Sequence, residues 1–229
     1  MEQLFGGYTL DTPPGTFPLS TDSMVLSGFV KLKRGARVLD LGSGCGTLGL
    51  LLCAKDATCH VTGIELDAAA HSAALDNIAR NGLDARLESI CADLRDVAVL
   101  FPQGRFDVCI SNPPYFSGGP ASATVPTARR EDLCSTEDLL RSAGRALKYG
   151  GDLFLVHRPE RLGELCAKAA QFQLEAKRLC LVRHRPADPV SLILLQCRKG
   201  AKPGLAWEEL ILFESDGTPT PAYRTLYHL

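Results

Sequence analysis

Asn112, Pro113, Pro114 and Tyr115 follow directly on an apolar run, residues 106–111. Proline locks φ and holds the residue before it extended, so the backbone around this asparagine is fixed. A rigid turn accounts for the prolines. It does not account for the amide and the phenol beside them. An Asn side-chain oxygen and the carbonyl of Pro113 can each accept one N–H of a planar amino group, such as that on adenine. A nitrogen of this kind is a poor nucleophile, because its lone pair is delocalised into the ring. Both hydrogen bonds strengthen as positive charge develops on nitrogen, so they favour the transition state over the ground state. Tyr115 offers a flat face to an extruded base, and such stacking contributes roughly 1–3 kcal/mol. No general base is needed beforehand, since the proton leaves after alkylation, and in-line positioning carries much of the acceleration.

A second constellation lies upstream, where Asp40 stands two residues before Gly42-Ser43-Gly44-Cys45-Gly46. Glycines let a chain turn sharply and let a ligand approach closely. A glycine turn alone often only connects two elements. Here Glu65 follows about 20 residues on, where an acid can take ribose hydroxyls, and Asp93 ends the next strand within reach of an adenine. A dinucleotide fingerprint needs a third glycine at position 47, which is Thr47. Asp40 would repel a pyrophosphate but can pair with an amino-acid ammonium. The pattern therefore favours S-adenosylmethionine over a nicotinamide dinucleotide.

The elements that must hold these residues alternate. Strands are expected at 37–41, 60–66, 85–92, 106–111, 152–157, 176–182 and 191–197, and helices at 48–54, 68–81, 136–147 and 161–172. Alternating strands and helices imply an α/β, doubly wound parallel sheet covered on both faces. Only residues 183–190 separate the last two strands, which predicts an antiparallel hairpin at one edge of the sheet. Residues 1–36 read as a lead-in packed on a single domain, 37–229, with the tail from residue 204 as an appendage.

With this organisation the sequence resembles the class I methyltransferases of the small-domain, amino-methylating kind. The resemblance rests on Asp40 with Gly42, Gly44 and Gly46, on Glu65 and Asp93, and on Asn112 to Tyr115. Within that group it is most similar to the bacterial tRNA(Val) adenine-N6 methyltransferases, through residues 17–23, 128–131, 156–161 and 213–217. It departs from them in having Arg130, where relatives carry a His, and in residues 219–223. The resemblance implies a Rossmann-like, seven-stranded sheet and methylation of N6 of adenine 37 in a tRNA anticodon loop. It places the catalytic work on Asn112, Pro113, Pro114 and Tyr115. The cofactor would lie on Asp40, Gly42, Ser43, Gly44, Gly46, Glu65, Leu66, Asp93, Leu94 and Asn112, with Thr21 and Asp22 from the lead-in. Substrate RNA would meet Tyr115, Phe116, Arg129, Arg130, Arg158, Arg183 and Arg185.

Composition agrees with such an enzyme. The 229 residues suit one large domain; 45% are hydrophobic and 22% charged. No apolar stretch approaches the roughly 20 residues of a membrane span, and the N-terminus lacks a signal-peptide pattern. Nine scattered cysteines without a C-x-x-C pair read as reduced cytoplasmic thiols, with no metal site. A net charge of −1 excludes a globally basic nucleic-acid binder and leaves room for local patches, among them 183–185 and 198–202. Two related alternatives are methylation of N6 of an adenine in another RNA or DNA and methylation of a protein glutamine in a release factor; the latter usually calls for a helical substrate domain. Some 36 residues ahead of the first strand are too few for one. The expected partner is tRNA, with a monomer or a homodimer left open.

Overall fold

The structure, a computed structural model, describes residues 1–113 and 134–228. A short antiparallel ribbon, β1 (Glu2–Gln3) and β2 (Thr9–Leu10), precedes helix α1 (Thr21–Phe29). The main sheet is then built from β3 (Arg37–Leu41), β4 (His60–Glu65), β5 (Leu87–Cys91), β6 (Phe106–Ser111), β7 (Leu147–His157), β8 (Leu174–Arg183), β9 (Val190–Lys199) and β10 (Ala206–Ile211). Its order is β10-β8-β9-β7-β6-β3-β4-β5. The five strands β3 to β7 are mutually parallel, and β9 runs against β7 and β8.

Two expectations need correction. The sheet has eight strands, not seven, and the β8–β9 hairpin is not at the edge, because β10 adds in parallel outside β8. The sequence of β10 disguises it. Trp207, Glu208 and Glu209 are all exposed, so the run shows no alternation of apolar and polar residues. Such a charged strand suits an edge, where it discourages pairing with another chain. Strand β7 also starts earlier than its apolar pattern, directly after the preceding helix, and runs through Gly150 and Gly151.

Side chains alternate along each strand, so the sheet buries two separate cores. Val38, Val61, Val108, Ile110 and Phe154 face α1, α2 (Thr47–Lys55) and α3 (Ala68–Arg80). Leu39, Ile64, Cys109, Leu153 and Leu155 face α4 (Val97–Leu100), α5 (Thr136–Ala146) and α6 (Leu162–Gln171). Helix α2 is apolar on all sides and buried over residues 47–53, as a helix between sheet and neighbouring helices must be. A last helix, α7 (Pro221–Tyr227), packs on α1.

Residues 1–36 are stitched to this frame by two asparagines one turn apart on α3. The Asn81 carboxamide accepts from the Thr9 amide (2.8 Å) and donates to the Thr9 carbonyl (2.8 Å). Asn77 does the same for Asp11, at 2.9 Å in both directions, and also donates to the Cys45 carbonyl in the glycine loop (3.0 Å). Each side chain thereby imitates a neighbouring strand. Lys55 closes the other end of α1, donating to the carbonyls of Ser27, Gly28 and Val30. Asn77 is fully buried. Asn77→Ala strips partners from the Asp11 backbone and from Cys45, and each unpaired buried group costs about 1–3 kcal/mol. Urea denaturation should show a loss of roughly 3 kcal/mol; a loss under about 1 kcal/mol would show that the anchor lies elsewhere.

Candidate active site

The strands β3 and β6 are neighbours; α2, which follows β3, packs on one face of the sheet and α5, the next described helix after β6, on the other. The carboxyl ends of such a pair flank the crevice where doubly wound sheets bind ligands. Main-chain pairing of the two ends at Asp40 with Ile110. Beyond it, the buried Ser111 hydroxyl donates to the Leu41 carbonyl (2.7 Å) and fixes the two strand ends side by side. The glycine loop leaves from one of them and Asn112 from the other.

The loop is held from below. The amides of Gly42 and Ser43 both donate to the Ile64 carbonyl at the end of β4 (3.0 Å each). Gly42, Gly44 and Gly46 all have φ between 56° and 83°, the left-handed region that favours glycine. A Cβ on Gly42 or Gly44 would meet nothing within 4 Å, so the loop borders open space. Ser43 instead turns inward. A Cβ at Gly63, in the middle of β4, would come within 2.6 Å of its hydroxyl, so that strand position is closed to other residues.

Asp40 shares a face with Val38 and is 1% exposed. Neither carboxylate oxygen has a hydrogen-bond partner among the described residues, and the same holds for the Ser43 hydroxyl. Burial, and after it the charge of Glu65, push the Asp40 carboxyl up to about 8. A buried carboxylate without a donor is costly, and a cation placed beside it removes the cost. The ammonium of S-adenosylmethionine is such a cation. The orphaned acid and the open glycine loop thus fit this cofactor.

Glu65 and Asp93 are less idle than the sequence suggested. Glu65 Oε2 accepts from the Gly44 amide (2.7 Å) and Oε1 from the Asp67 amide (2.8 Å), so the acid shapes the loop and caps the entry to α3. Leu66 beside it is 46% exposed at the crevice rim. Asp93 lies two residues past β5 and is paired with the Arg95 guanidinium, which holds its carboxyl below the usual range. Leu94 opens the short turn that Asp93 caps.

Asn112 is half-buried and donates through Nδ2 to the Ser23 hydroxyl (3.1 Å). Ser23 lies in the first turn of α1, next to Thr21 and Asp22. Ser20, whose hydroxyl accepts from the Ser23 amide, caps that helix. This bond leaves the carboxamide oxygen out of the contact with α1. Pro113 is described. Pro114, Tyr115, Phe116, Arg129 and Arg130 lie outside the described residues.

The remaining arginines divide by sheet edge. Arg158 ends β7 and Arg183 ends β8, both on the carboxyl edge that carries Asn112, and Arg185 lies in the turn beyond. Arg183 is occupied by the Asp188 carbonyl (2.6 Å) and by Glu209 (3.4 Å). Arg198, Lys199 and Lys202 sit at the opposite edge. There Arg198 pairs with Asp152 and the buried Lys199 ammonium donates to the Leu147 carbonyl. They do not join the site. Sequence reasoning missed Ser23 and Asn77. The spacing Ser20-x-x-Ser23 ahead of the apolar residues 24–26 is a helix-start signal that locates the former; no local signal marks the latter.

Known proteins agree with this architecture. The methyltransferase small-domain family matches residues 10–164. A tRNA1(Val) (adenine(37)-N6)-methyltransferase of Tolumonas auensis is 32% identical over 97% of this chain and 93% of its own length. One from Dickeya chrysanthemi is 31% identical over 91% and 85%. Among solved structures, a predicted O-methyltransferase of Agrobacterium tumefaciens superimposes with a TM-score of 0.77 at 26% identity, covering 91% of this chain and 96% of that one. The chain belongs to the methyltransferase small-domain family, and within it to the group of the tRNA1(Val) (adenine(37)-N6)-methyltransferases.

Proposed function

We propose that this methyltransferase transfers a methyl group from S-adenosylmethionine to the exocyclic N6 of an adenine in tRNA, at position 37 of the anticodon loop. The carrying observation is the Asn112 carboxamide, fixed at the end of β6 by Ser23 and set one strand from the orphaned Asp40. The relatives, tRNA1(Val) (adenine(37)-N6)-methyltransferases by name, support the substrate. Residues 1–36 belong to the working domain on this reading, because α1 supplies the Asn112 partner. The reaction belongs in the cytoplasm, in keeping with nine free thiols. No helix among the described residues is long and apolar enough to cross a membrane.

Each residue then has a task. Asp40 receives the ammonium of the cofactor, while Gly42, Ser43, Gly44 and Gly46 let it lie close to the backbone. Glu65 retains outward lone pairs for ribose hydroxyls while its inner ones hold the loop. Asp93 and the Leu94 amide border the adenine end, with Leu66 against the ring. When bound, S-adenosylmethionine supplies an electrophilic methyl on a sulfonium. The Asn112 oxygen and the Pro113 carbonyl accept the two N–H groups of the target amine and direct its lone pair. Tyr115 and Phe116 would hold the flipped base, and Arg129, Arg130 and Arg158 its phosphates. An unstacked loop base is cheap to extrude, so a compact enzyme suffices.

Incubation with labelled S-adenosylmethionine and unmodified tRNA, followed by nucleoside digestion, should give label in N6-methyladenosine. Label found only on a protein glutamine would overturn the assignment. Asn112→Ala should lower kcat on the order of 10²-fold or more, by analogy with loss of one transition-state hydrogen bond, and leave cofactor affinity within a few-fold. Ser23→Ala should lower kcat by about tenfold through misplacement of the same amide. Cofactor binding lost in the Asn112 variant would mean that its role is structural.

Asp40 predicts a pH dependence of definite sign. Burial pushes the folded carboxyl up to about 8, above its ordinary value of 3.8. Without cofactor, the native state binds the extra proton between those limits, so stability falls as pH rises from about 4 to 8. Asp40→Asn should therefore be the more stable protein at pH 8–9, with the advantage fading toward pH 4–5. Pairing with the cofactor ammonium expels the proton, so wild-type affinity should increase across pH 5–8. In Asp40→Asn calorimetry should show a flat profile and binding weaker by about tenfold or more. A pH-independent wild-type affinity would refute the pairing.

A further inference from the structure

The geometry points to a second nucleotide subsite at the carboxyl edge, between the β8–β9 turn and the turn that follows β10. It rests on the RNA-methylating reading above and adds to it where a base other than the target is held. The cleft has a volume of about 360 Å³ and is lined by His184, Arg185, Asp188, Phe213 and Gly217, within the size range of small-ligand sites. Both walls are preorganised. The Leu212 and Phe213 amides donate to the Arg183 and His184 carbonyls (3.1 and 2.8 Å). Asp188 closes its turn onto Arg185 (3.1 Å), and Gly217 closes the other onto Glu214 (2.9 Å).

The side chains match the parts of a nucleotide. His184 stacks on Phe213 with ring centroids 5.7 Å apart and planes within 8°. His184 is exposed, so its outer face is available to a base. Behind it Phe213 meets Tyr223 at a tilt (4.8 Å, 42°), and Tyr223 stacks on Tyr227 (4.2 Å), so the aromatic contacts reach the helix that packs on α1. Arg185 is exposed and has no ion-pair partner among the described residues, unlike Arg183. It is the cation for a phosphate. Asp188 presents an acceptor for the amino group of a base, which favours adenine, cytosine or guanine over uracil.

Position sets which nucleotide enters. From β6 to β8 there are three strand spacings, about 14 Å at 4.8 Å each. That exceeds a stacked step of about 3.4 Å. The subsite therefore takes a base that is not the immediate neighbour of the target adenine.

The test uses the full chain, S-adenosylmethionine and an unmodified RNA stem-loop carrying the target adenine. His184→Ala and Arg185→Ala should each raise KM for RNA by about tenfold, with kcat, cofactor affinity and melting temperature unchanged. Arg185→Ala should also make the slope of log KM against log salt shallower by about 0.7. Abasic substitutions walked along the loop should find one position, beyond the nearest neighbour, whose loss raises the wild-type KM and adds nothing to His184→Ala. Wild-type KM in both variants, or additive effects at every position, would overturn the subsite alone. Failure of the wild-type enzyme to methylate any RNA would overturn the underlying reading together with it.

Discussion

A carboxylate buried without a donor is the constraint around which this protein is organised. Asp40 is part of β3, where its neighbours Val38, Leu39 and Leu41 are apolar and deeply buried. Nothing in the packing requires an acid there, and a valine would fit the run better. Among the described residues the acid has no hydrogen-bond partner, and the cost appears as a carboxyl raised to about 8. A group retained at such expense is explained by an external cation, and the open loop directly above it leaves room for one. On the proposed reading, electrostatics favours the cofactor by relieving the strain of an unpaired acid, so part of the binding selectivity is built in before any contact with the nucleoside.

The same strand end also governs the reacting amide. Ser111, the residue before it, donates to Leu41, and with the main-chain pairing of β3 and β6 this positions Asn112 relative to Asp40 across adjacent strands. The other half of the constraint comes from α1 through Ser23. Helix α1 is in turn located by Lys55 at its far end, and the ribbon ahead of it by Asn77 and Asn81. The chain of dependence closes on itself, since Asn77 also holds the Cys45 carbonyl in the glycine loop. Glycine loop, lead-in and the Asn112 amide therefore share one hydrogen-bonded scaffold, and a shift in any of them is felt by the other two.

How much of this was legible in the sequence varies with the range of the interaction. The glycine loop, the acid ahead of it and the Asn-Pro-Pro turn are local signals, because the backbone conformations they demand depend on adjacent residues. The parallel strands were legible as short apolar runs. The edge strand β10 was not. Its pairing with β8 brings residues 206–211 beside 178–183, and its exposed face carries Trp207 and two glutamates in place of an apolar stripe. The asparagines of α3 were equally silent. Asn81 looked like a helix stop, and a partner 72 residues away gave it a second task. Arginines misled in the opposite sense. Arg183 and Arg198 look alike as basic residues of one hairpin, yet a ten-residue strand puts them at opposite edges of the sheet, where each is taken up by an acid.

Asp93 and Glu65 show why an acid at a strand end cannot be assigned a ligand by position alone. Both are engaged by the chain itself, but in ways that leave different capacities. Glu65 accepts one main-chain amide on each oxygen, and each oxygen keeps a second lone pair for a hydroxyl. It can bind a ribose without giving up the loop. Asp93 has both oxygens on the Arg95 guanidinium and one of them also on the Arg95 amide. Its charge is neutralised locally, so its pull on an adenine amino group is weaker than that of a solitary acid. On the proposed reading, cofactor affinity is therefore concentrated at the two ends of the methionine–ribose portion, on Asp40 and Glu65. The adenine end contributes shape, through Leu66 and the turn at Leu94, more than charge.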